Sequence, residues 1–229
     1  FFSAHPADDP AVAGSRGAGV TLSHGVDVRV RRGDAVREEA AGDGATDAAV
    51  SLNGDPIAVD AVDAVLRELD ATDAVVTAET PLPLGAGFGV SGALALGTAY
   101  AANAVSDARR TENALVGIAH RAEVAAGTGL GDVVAQARGG LPIRLEPGDP
   151  EHGRLDGVPA SPRVEYVAFG SVSTETVLSG DTRALTAAGE RALSDLRAEP
   201  TPARLVALSR RFAREADLRT DRVADAVAD

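Results

Sequence analysis

The segment from Pro81 to Ala93 carries the clearest chemical signal in the sequence. Its four glycines lie between an apolar stretch that predicts a strand and an alanine-rich stretch that predicts a helix. Glycine lets a backbone approach an anion closely with its N–H groups turned inward, and a following helix adds the positive end of its dipole. The pattern therefore predicts a loop that binds phosphate without a lysine, although an ordinary glycine-rich turn has a similar composition.

Three better-known motifs fit this segment less well. Gly87 to Gly92 satisfies the dinucleotide pattern G-x-G-x-x-G, but that pattern requires a parallel strand after the helix, and here a second helix is predicted from Thr111. A P-loop ends in Gly-Lys-Ser/Thr, and the chain contains no lysine. A nucleophile elbow, G-x-S-x-G, needs a glycine where Ala93 stands. A phosphate loop in this chain is therefore of another kind.

The segment resembles the ATP-binding loop of the GHMP small-molecule kinases, whose usual form is Pro-x-Gly-x-Gly-Leu-Gly-Ser-Ser-Ala. Phe88 stands for the leucine, Val90 for the first serine and Gly92 for the alanine, whereas the second serine is kept as Ser91. The resemblance implies that Ser91 helps to hold Mg²⁺. It also implies that ATP is bound by Pro83, Gly85, Ala86, Gly87, Phe88, Gly89, Val90, Ser91 and Gly92.

A second match to these kinases lies where a predicted helix ends and another glycine-rich loop begins. Glu123 matches the family's Mg²⁺-ligand glutamate, and Asp132, after the loop 127–131, matches its catalytic aspartate. The chemistry is reasonable, because Mg²⁺ prefers hard oxygen ligands and an attacking hydroxyl needs a nearby carboxylate to take its proton. The alternatives are that Glu123 is an exposed helix carboxylate and that Asp132 is only a helix N-cap.

The substrate that accepts the phosphoryl group is implied by a closer resemblance, to the archaeal pantoate kinases. This resemblance extends over essentially the whole chain. The opening residues 12–19 are similar to that family's substrate loop, and the block 123–144 is similar as well. A substrate carboxylate calls for the planar fork of an arginine, and Arg144 is our first choice and Arg16 our second. Ser15, His120 and Thr174 are candidates to form hydrogen bonds with the hydroxyls or the carboxylate of pantoate. Surface arginines and a core histidine are the structural alternatives.

The resemblance implies phosphorylation of pantoate to 4-phosphopantoate in coenzyme A biosynthesis, with ATP and Mg²⁺ as cofactors. Two alternatives stay open: another GHMP kinase of the homoserine or mevalonate type, and a catalytically silent nucleotide-binding fragment. The Gly-His segment that precedes Phe1 in the family and its C-terminal glycine-rich motif are both missing. We therefore expect a chain truncated at both ends. A homodimer is left open.

The composition excludes several other functions. The chain has 34 acidic and 22 basic residues and a net charge of −12, which disfavours binding to nucleic acid or to anionic membranes. It has no cysteine, so disulfides, zinc–thiolate sites and cysteine nucleophiles are excluded. No apolar run approaches the roughly 20 residues of a membrane span, and no signal peptide is visible. These features predict a cytoplasmic protein, and the resemblance implies that its substrate is a small molecule.

Hydrophobic periodicity predicts the elements that position these residues. The sequence predicts strands at Val26–Arg31, Ala74–Glu79, Leu141–Leu145 and Val164–Phe169, a weak one at residues 50–52, and helices from residue 62, over Val90–Val105, after Thr111 and after Thr201. Strands come mainly early and helices late, which predicts an α+β fold. The resemblance implies two lobes, the first like domain 2 of ribosomal protein S5. We place the boundary at a polar linker, residues 147–162, which gives domains 1–146 and 147–229.

The acidic excess leads to a prediction about salt. All 22 basic residues are arginines, and such a composition resembles that of proteins from salt-loving archaea. Because about 1 M salt screens charge beyond roughly 3 Å, repulsion among the carboxylates should weaken as KCl or NaCl is added. We expect the melting temperature to rise from low to molar salt. An unchanged or lower melting temperature would contradict the halophilic interpretation.

Overall fold

The computed structural model describes residues 1–32, 50–170, 182–218 and 223. These ranges contain two four-stranded sheets and six helices. The strands are β1 (Phe2–His5), β2 (Gly14–Ala18), β3 (Asp27–Arg32), β4 (Val50–Leu52), β5 (Asp55–Pro56), β6 (Ala74–Glu79), β7 (Leu141–Glu146) and β8 (Arg154–Val158). The helices are α1 (Asp60–Glu68), α2 (Val90–Val105), α3 (Glu112–Ala125), α4 (Asp132–Arg138), α5 (Arg183–Ala198) and α6 (Pro202–Glu215). The arrangement confirms the predicted α+β class.

The first sheet, sheet A, joins strands that are far apart in the sequence. Its order is β1-β2-β7-β8, and all three pairings are antiparallel. In the pairing of β2 with β7, Gly17 lies opposite Arg144. Helices α5 and α6 cover one face of this sheet with buried leucines, among them Leu193, Leu196 and Leu208. Sheet A therefore has a core of its own.

The second sheet, sheet B, and helices α1 to α4 form the larger core. Its order is β3-β6-β4-β5, and β4 runs parallel to β6. The predicted Asn53-Gly54 turn joins β4 to β5, and both residues have positive φ, 53° and 89°, as a tight hairpin requires. Helix α2 crosses β3 so closely that a Cβ on Gly97 would lie 2.6 Å from Val28 Cγ2. This contact fixes the helix that follows the glycine-rich loop.

Most elements predicted from periodicity are confirmed, but two predictions are wrong. Residues 164–169 form no strand in the described part of the chain, because no neighbouring strand pairs with their backbone. They are exposed, and Tyr166 packs its ring against Phe88 with 4.7 Å between the ring centroids. The supposed linker 147–162 contains β8, whose partner is β7. The predicted domain boundary at residue 146 thus falls between two paired strands.

Thr111 caps helix α3, as predicted. Thr111 is its N-cap, and the side-chain hydroxyl accepts a hydrogen bond from the backbone N–H of Ala114. Thr201 caps α6 in the same way, and Pro202 occupies the first helical position. None of the helices in the described ranges is both long and apolar enough to cross a membrane.

Candidate active site

The glycine-rich loop ends at Gly89, directly before α2. Gly85, Gly87 and Gly89 have φ angles of 69°, 82° and 65°, a left-handed conformation that other residues adopt only at a cost. A Cβ on Gly87 would meet no atom within 4 Å, so the loop backbone here faces open space. A left-handed turn at the start of a long helix presents backbone N–H groups to an anion. The local geometry is therefore suited to binding a phosphate group.

This loop forms one wall of a cavity of about 650 Å³. The volume is in the range of cofactor and substrate sites. Of the predicted ATP-binding residues, Gly87, Phe88, Gly89 and Val90 line it. Asp132 and Arg144 also line it, from α4 and β7. Much of the remaining lining comes from residues that follow β2 and from α2, including Thr21, Leu22, His24, Val26, Leu96, Gly97 and Tyr100.

Ser91 and Glu123, the two predicted metal ligands, are in direct contact. Ser91 Oγ donates a 2.6 Å hydrogen bond to Glu123 Oε1, and Thr128 Oγ1 donates a second at 3.0 Å. Glu123 is only 2% exposed, and its burial raises the pKa of its carboxyl although both hydroxyls oppose the shift. The interpretation of Glu123 as a surface carboxylate is therefore wrong. The first turn of α2 and the last turn of α3 bring the two residues together.

Asp132 is the first residue of α4 and does not cap it. The N-cap is Gly131, with φ of 117°, and no side chain caps the helix. The N-cap interpretation of Asp132 is wrong because the helix begins at Asp132 itself, one residue earlier than that interpretation requires. Its side chain is 51% exposed and points to the cavity, with Oδ1 3.7 Å from Arg144 Nη1. A carboxylate in the first turn is also favoured by the helix dipole.

Arg144 is the most deeply buried cation of the cavity wall. Only 9% of the residue is exposed, and burial lowers the pKa of the guanidinium while nearby Asp132 opposes that shift. Its Nη1 donates a 3.4 Å hydrogen bond to the carbonyl of Leu130. A Cβ on Gly131 would lie 2.8 Å from this nitrogen, so the loop before α4 packs directly on the arginine. A buried guanidinium that opens on a cavity is suited to bind a carboxylate.

Ser15 and His120 lie behind the cavity wall and do not line it. Ser15 Oγ donates a 2.6 Å hydrogen bond to the Leu130 carbonyl, the same oxygen that Arg144 contacts. His120 is fully buried, and its Nε2 lies 3.0 Å from the carbonyl of Ala13, to which it can donate. Burial lowers the pKa of His120, which favours the neutral ring. Both residues, as the structure has them, hold backbone around the cavity.

Arg16 lies on the other face of sheet A. Side chains alternate along β2, and because Gly17 pairs with Arg144, those two residues share a face that Arg16 does not. Arg16 donates instead to the Leu145 carbonyl at 2.7 Å and to Glu190 at 2.8 Å. The structure thus brings Arg144, but not Arg16, to Asp132. Thr174, the last predicted substrate residue, lies outside the described residues.

Three polar groups of this region were not predicted from the sequence. Thr128 bonds to Glu123, as described above, and Gln136 bonds to the glycine-rich loop, with its Nε2 2.8 Å from the Gly89 carbonyl. His24, to which the sequence assigned no role, lines the cavity. Gln136 could have been found, because it follows Asp132 by four positions on a helix and so shares its face. His24 carries no spacing signal.

The donor set around Glu123 fits a magnesium site that a nucleotide completes. In the parts of the chain that the structure describes, no three acidic or histidine side chains are grouped to hold a metal ion. Mg²⁺ typically takes only one or two carboxylates and keeps water and substrate phosphates as its other ligands. One buried carboxylate and one hydroxyl at the start of α2 meet that requirement.

Comparisons with known proteins agree with this geometry. Residues 56–140, which run from β5 to just beyond α4, match the family model described as the GHMP kinases N terminal domain. The chain is 35% identical over 222 residues to the pantoate kinase of Thermococcus kodakarensis, a match that covers 92% of this chain and 70% of the relative. It is 30% identical over 221 residues to the pantoate kinase of Methanocaldococcus jannaschii, with 93% and 75% covered.

A solved structure is similar over nearly the whole chain. It is described as a phosphotransferase related to the CoA biosynthesis pathway, and it superposes with a TM-score of 0.76 at 30% sequence identity. The match covers 98% of this chain and 75% of that protein. The similarity therefore extends through sheet A and its helices as well as through the region of the glycine-rich loop.

Proposed function

The chain belongs to the GHMP kinases. We propose that it transfers the γ-phosphoryl group of ATP to the primary hydroxyl of pantoate, giving 4-phosphopantoate. It is an ATP-dependent small-molecule kinase. The observation that carries the proposal is the cavity in which Asp132 and the buried Arg144 face the glycine-rich loop. Pantoate offers both an anionic carboxylate and a hydroxyl nucleophile to such a pair.

In the proposed mechanism each group has a separate task. The backbone of the loop from Gly85 to Gly89 binds the phosphates of ATP through its N–H groups. Arg144 binds the acceptor's carboxylate with two parallel hydrogen bonds, which fixes the orientation of the acceptor. Asp132 then accepts the proton of the primary hydroxyl as that oxygen attacks the γ-phosphorus and the bond to the leaving ADP breaks.

The Arg144 guanidinium also supports Asp132. Its Nη1 lies 3.7 Å from Asp132 Oδ1, so the buried arginine helps to hold the carboxylate at the cavity. The Leu130 carbonyl, bonded to both Ser15 and Arg144, anchors the loop directly before Asp132. These contacts support a position for the base that is fixed before substrate binds.

Glu123 and Ser91 are the residues that we propose to hold Mg²⁺. The ion, when bound, would neutralise phosphate charge, which is the main electrostatic need of phosphoryl transfer. The Ser91 hydroxyl donates to Glu123, and this contact keeps both oxygens at one point beside the start of α2. Thr128 holds the carboxylate from the other side.

Removal of either proposed metal ligand should raise the Mg²⁺ requirement. We expect Ser91→Ala and Glu123→Gln each to lower activity at low Mg²⁺ by at least about tenfold, with part of the loss restored by higher Mg²⁺. Because burial raises the pKa of Glu123, its ionised form is disfavoured in the folded protein, and Glu123→Gln should melt no lower than the wild type at neutral pH.

The measurement is a Mg²⁺ titration of initial rate, with melting temperature followed in parallel. Ser209→Ala is the matched control, because its hydroxyl donates to Leu205 within α6, outside the cavity. Wild-type rates at low Mg²⁺ in both ligand variants would remove the metal assignment. A rate loss that Mg²⁺ does not restore in either variant would also count against it.

The acceptor is tested by a panel of substrates with the full-length protein and ATP. We expect phosphorylation of pantoate and little of homoserine or mevalonate. Mevalonate also has a carboxylate and a primary hydroxyl, so it is the stricter comparison. A preference for another acceptor would keep the kinase and overturn pantoate, whereas ATP binding without transfer to any acceptor would favour a silent nucleotide-binding protein. We propose a cytoplasmic location and a salt-rich working environment.

A further inference from the structure

We infer that Gln136 is a positioning residue that fixes the glycine-rich loop relative to Asp132, an inference that rests on the proposed phosphoryl transfer. Gln136 follows Asp132 by one helical turn on α4, so the two side chains share a face of that helix. Its Nε2 donates a 2.8 Å hydrogen bond to the carbonyl of Gly89, the residue directly before α2. A single seven-residue helix thus carries the proposed base and holds the loop.

The packing around this amide leaves it little freedom. A Cβ on Gly89 would lie 2.6 Å from Gln136 Nε2, and a Cβ on Gly92 would lie 3.5 Å from Oε1. The amide therefore packs between Gly89, at the end of the loop, and Gly92, in the first turn of α2. Because the Gly89 carbonyl can only accept a hydrogen bond, the NH₂ group must face it, and this fixes the orientation of the amide.

The other end of the same amide is unsatisfied. Gln136 Oε1 is buried and accepts no hydrogen bond from any residue within the described ranges. A buried acceptor without a partner lowers the stability of the fold. An apolar side chain of the same length would avoid that loss, so stability alone does not account for a glutamine here. The amide supplies a donor that an apolar side chain lacks, and this donor forms the hydrogen bond to the loop at Gly89.

The position of the loop matters because catalysis depends on the distance between base and phosphate. Asp132, through α4, and Gly89, through its carbonyl, are tied to one rigid helix. Displacement of a phosphate cradle by about 1 Å is enough to slow a well-oriented transfer by roughly 100-fold. Loss of the Gln136 hydrogen bond should therefore act on turnover and on nucleotide affinity although Gln136 need not touch a reacting atom.

The test compares two substitutions of Gln136 with a control on the same helix. Gln136→Met keeps the length and removes the donor, and Gln136→Glu keeps the shape and replaces the donor with an oxygen. Arg138→Gln is the control, since Arg138 donates to the Gly139 carbonyl and lies over Gly157, away from the loop. For each variant one measures the ATP dissociation constant without acceptor, kcat, KM for ATP and melting temperature.

We expect Gln136→Met to lower kcat by roughly tenfold and to weaken ATP binding several-fold, with no lower melting temperature, because an unsatisfied acceptor is removed with the donor. Gln136→Glu should have a low kcat and weak ATP binding at pH 8. Both should partly recover towards pH 5, where a protonated carboxyl can donate to the Gly89 carbonyl. Normal kcat and ATP affinity in Gln136→Met would overturn the inference. So would a fall in melting temperature with unchanged kinetics, which indicates a structural role only.

Failure of this inference and failure of the proposed function are distinguishable. ATP affinity is measured without an acceptor, so it reports on the loop whether or not pantoate is the substrate. A wild type that phosphorylates pantoate while Gln136→Met behaves like it would overturn Gln136 alone. A wild type inactive on pantoate, combined with weaker ATP binding in Gln136→Met, would overturn the acceptor and support the role of Gln136.

Discussion

Asp132→Asn should lower turnover by roughly 10² to 10⁴ while the protein stays folded. An amide cannot take the proton of the attacking hydroxyl, and loss of a positioned acid–base group has an effect of this size. Because Asp132 does not cap α4, the cost to stability comes only from the helix dipole and from the contact with Arg144, about 1 kcal/mol together. ATP affinity should be nearly unchanged, since the loop from Gly85 to Gly89 is not altered.

Turnover, ATP affinity and melting temperature are measured on one purified preparation of Asp132→Asn. Asp156→Asn is a suitable control, because this carboxylate is exposed on β8 and its nearby hydrogen bond is to its own strand. A variant that unfolds would give Asp132 a structural role. A variant with normal turnover would show that positioning and charge stabilisation suffice for transfer without a carboxylate base.

Arg144→Gln should raise KM for pantoate by roughly 100-fold and change KM for ATP by no more than about threefold. The reason is the loss of a charge-assisted, two-pronged contact to the acceptor's carboxylate. Arg144→Lys keeps the charge but not the planar fork, so its KM should lie between those of Arg144→Gln and the wild type. Some loss of kcat will accompany both changes, because Arg144 also contacts the carbonyl of Leu130.

The control for Arg144 is Arg16, which lies on the neighbouring strand β2 of the same sheet. Arg16→Gln breaks the hydrogen bonds to Leu145 and Glu190 on the helix-covered face, so its expected effect is a lower melting temperature with KM for pantoate near that of the wild type. Steady-state kinetics over a wide pantoate range separate the two arginines. The opposite result, a large KM effect in Arg16→Gln and none in Arg144→Gln, would reverse the assignment.

The local parts of the site were predictable from the sequence. A glycine-rich loop before an apolar helix, and a carboxylate one residue after a second glycine-rich loop, are contiguous patterns whose geometry depends on near neighbours. Glu123 is buried for the same reason, since the second loop folds back on its helix within a few residues. The family resemblance added the roles of these groups, which spacing alone left open.

The parts that depend on distant pairing were not predictable. Strand β2, Gly14 to Ala18, contains two glycines and no β-branched residue, so it carries no strand signal, and it forms because β1 and β7 pair with it. The face on which Arg16 lies follows from that register and from nothing local. Conversely, residues 164–169 have strand composition but no partner in the described ranges. Composition indicates that a strand is favoured, whereas pairing decides whether it forms.

Sheet A combines strands β1 and β2 with the distant strands β7 and β8, and this separation affects the order in which the protein folds. Sheet B and α1 to α4 come from a nearly continuous stretch, whereas Ser15 reaches Leu130 only by closing a loop of 115 residues. Closing so long a loop is entropically costly and slow, so the sheet B core is expected to form first. A chain leaving the ribosome would then carry a formed phosphate loop, Glu123 and Asp132 before Arg144 is seated against Gly17. Binding of nucleotide would in this order precede the assembly of the acceptor's site during synthesis.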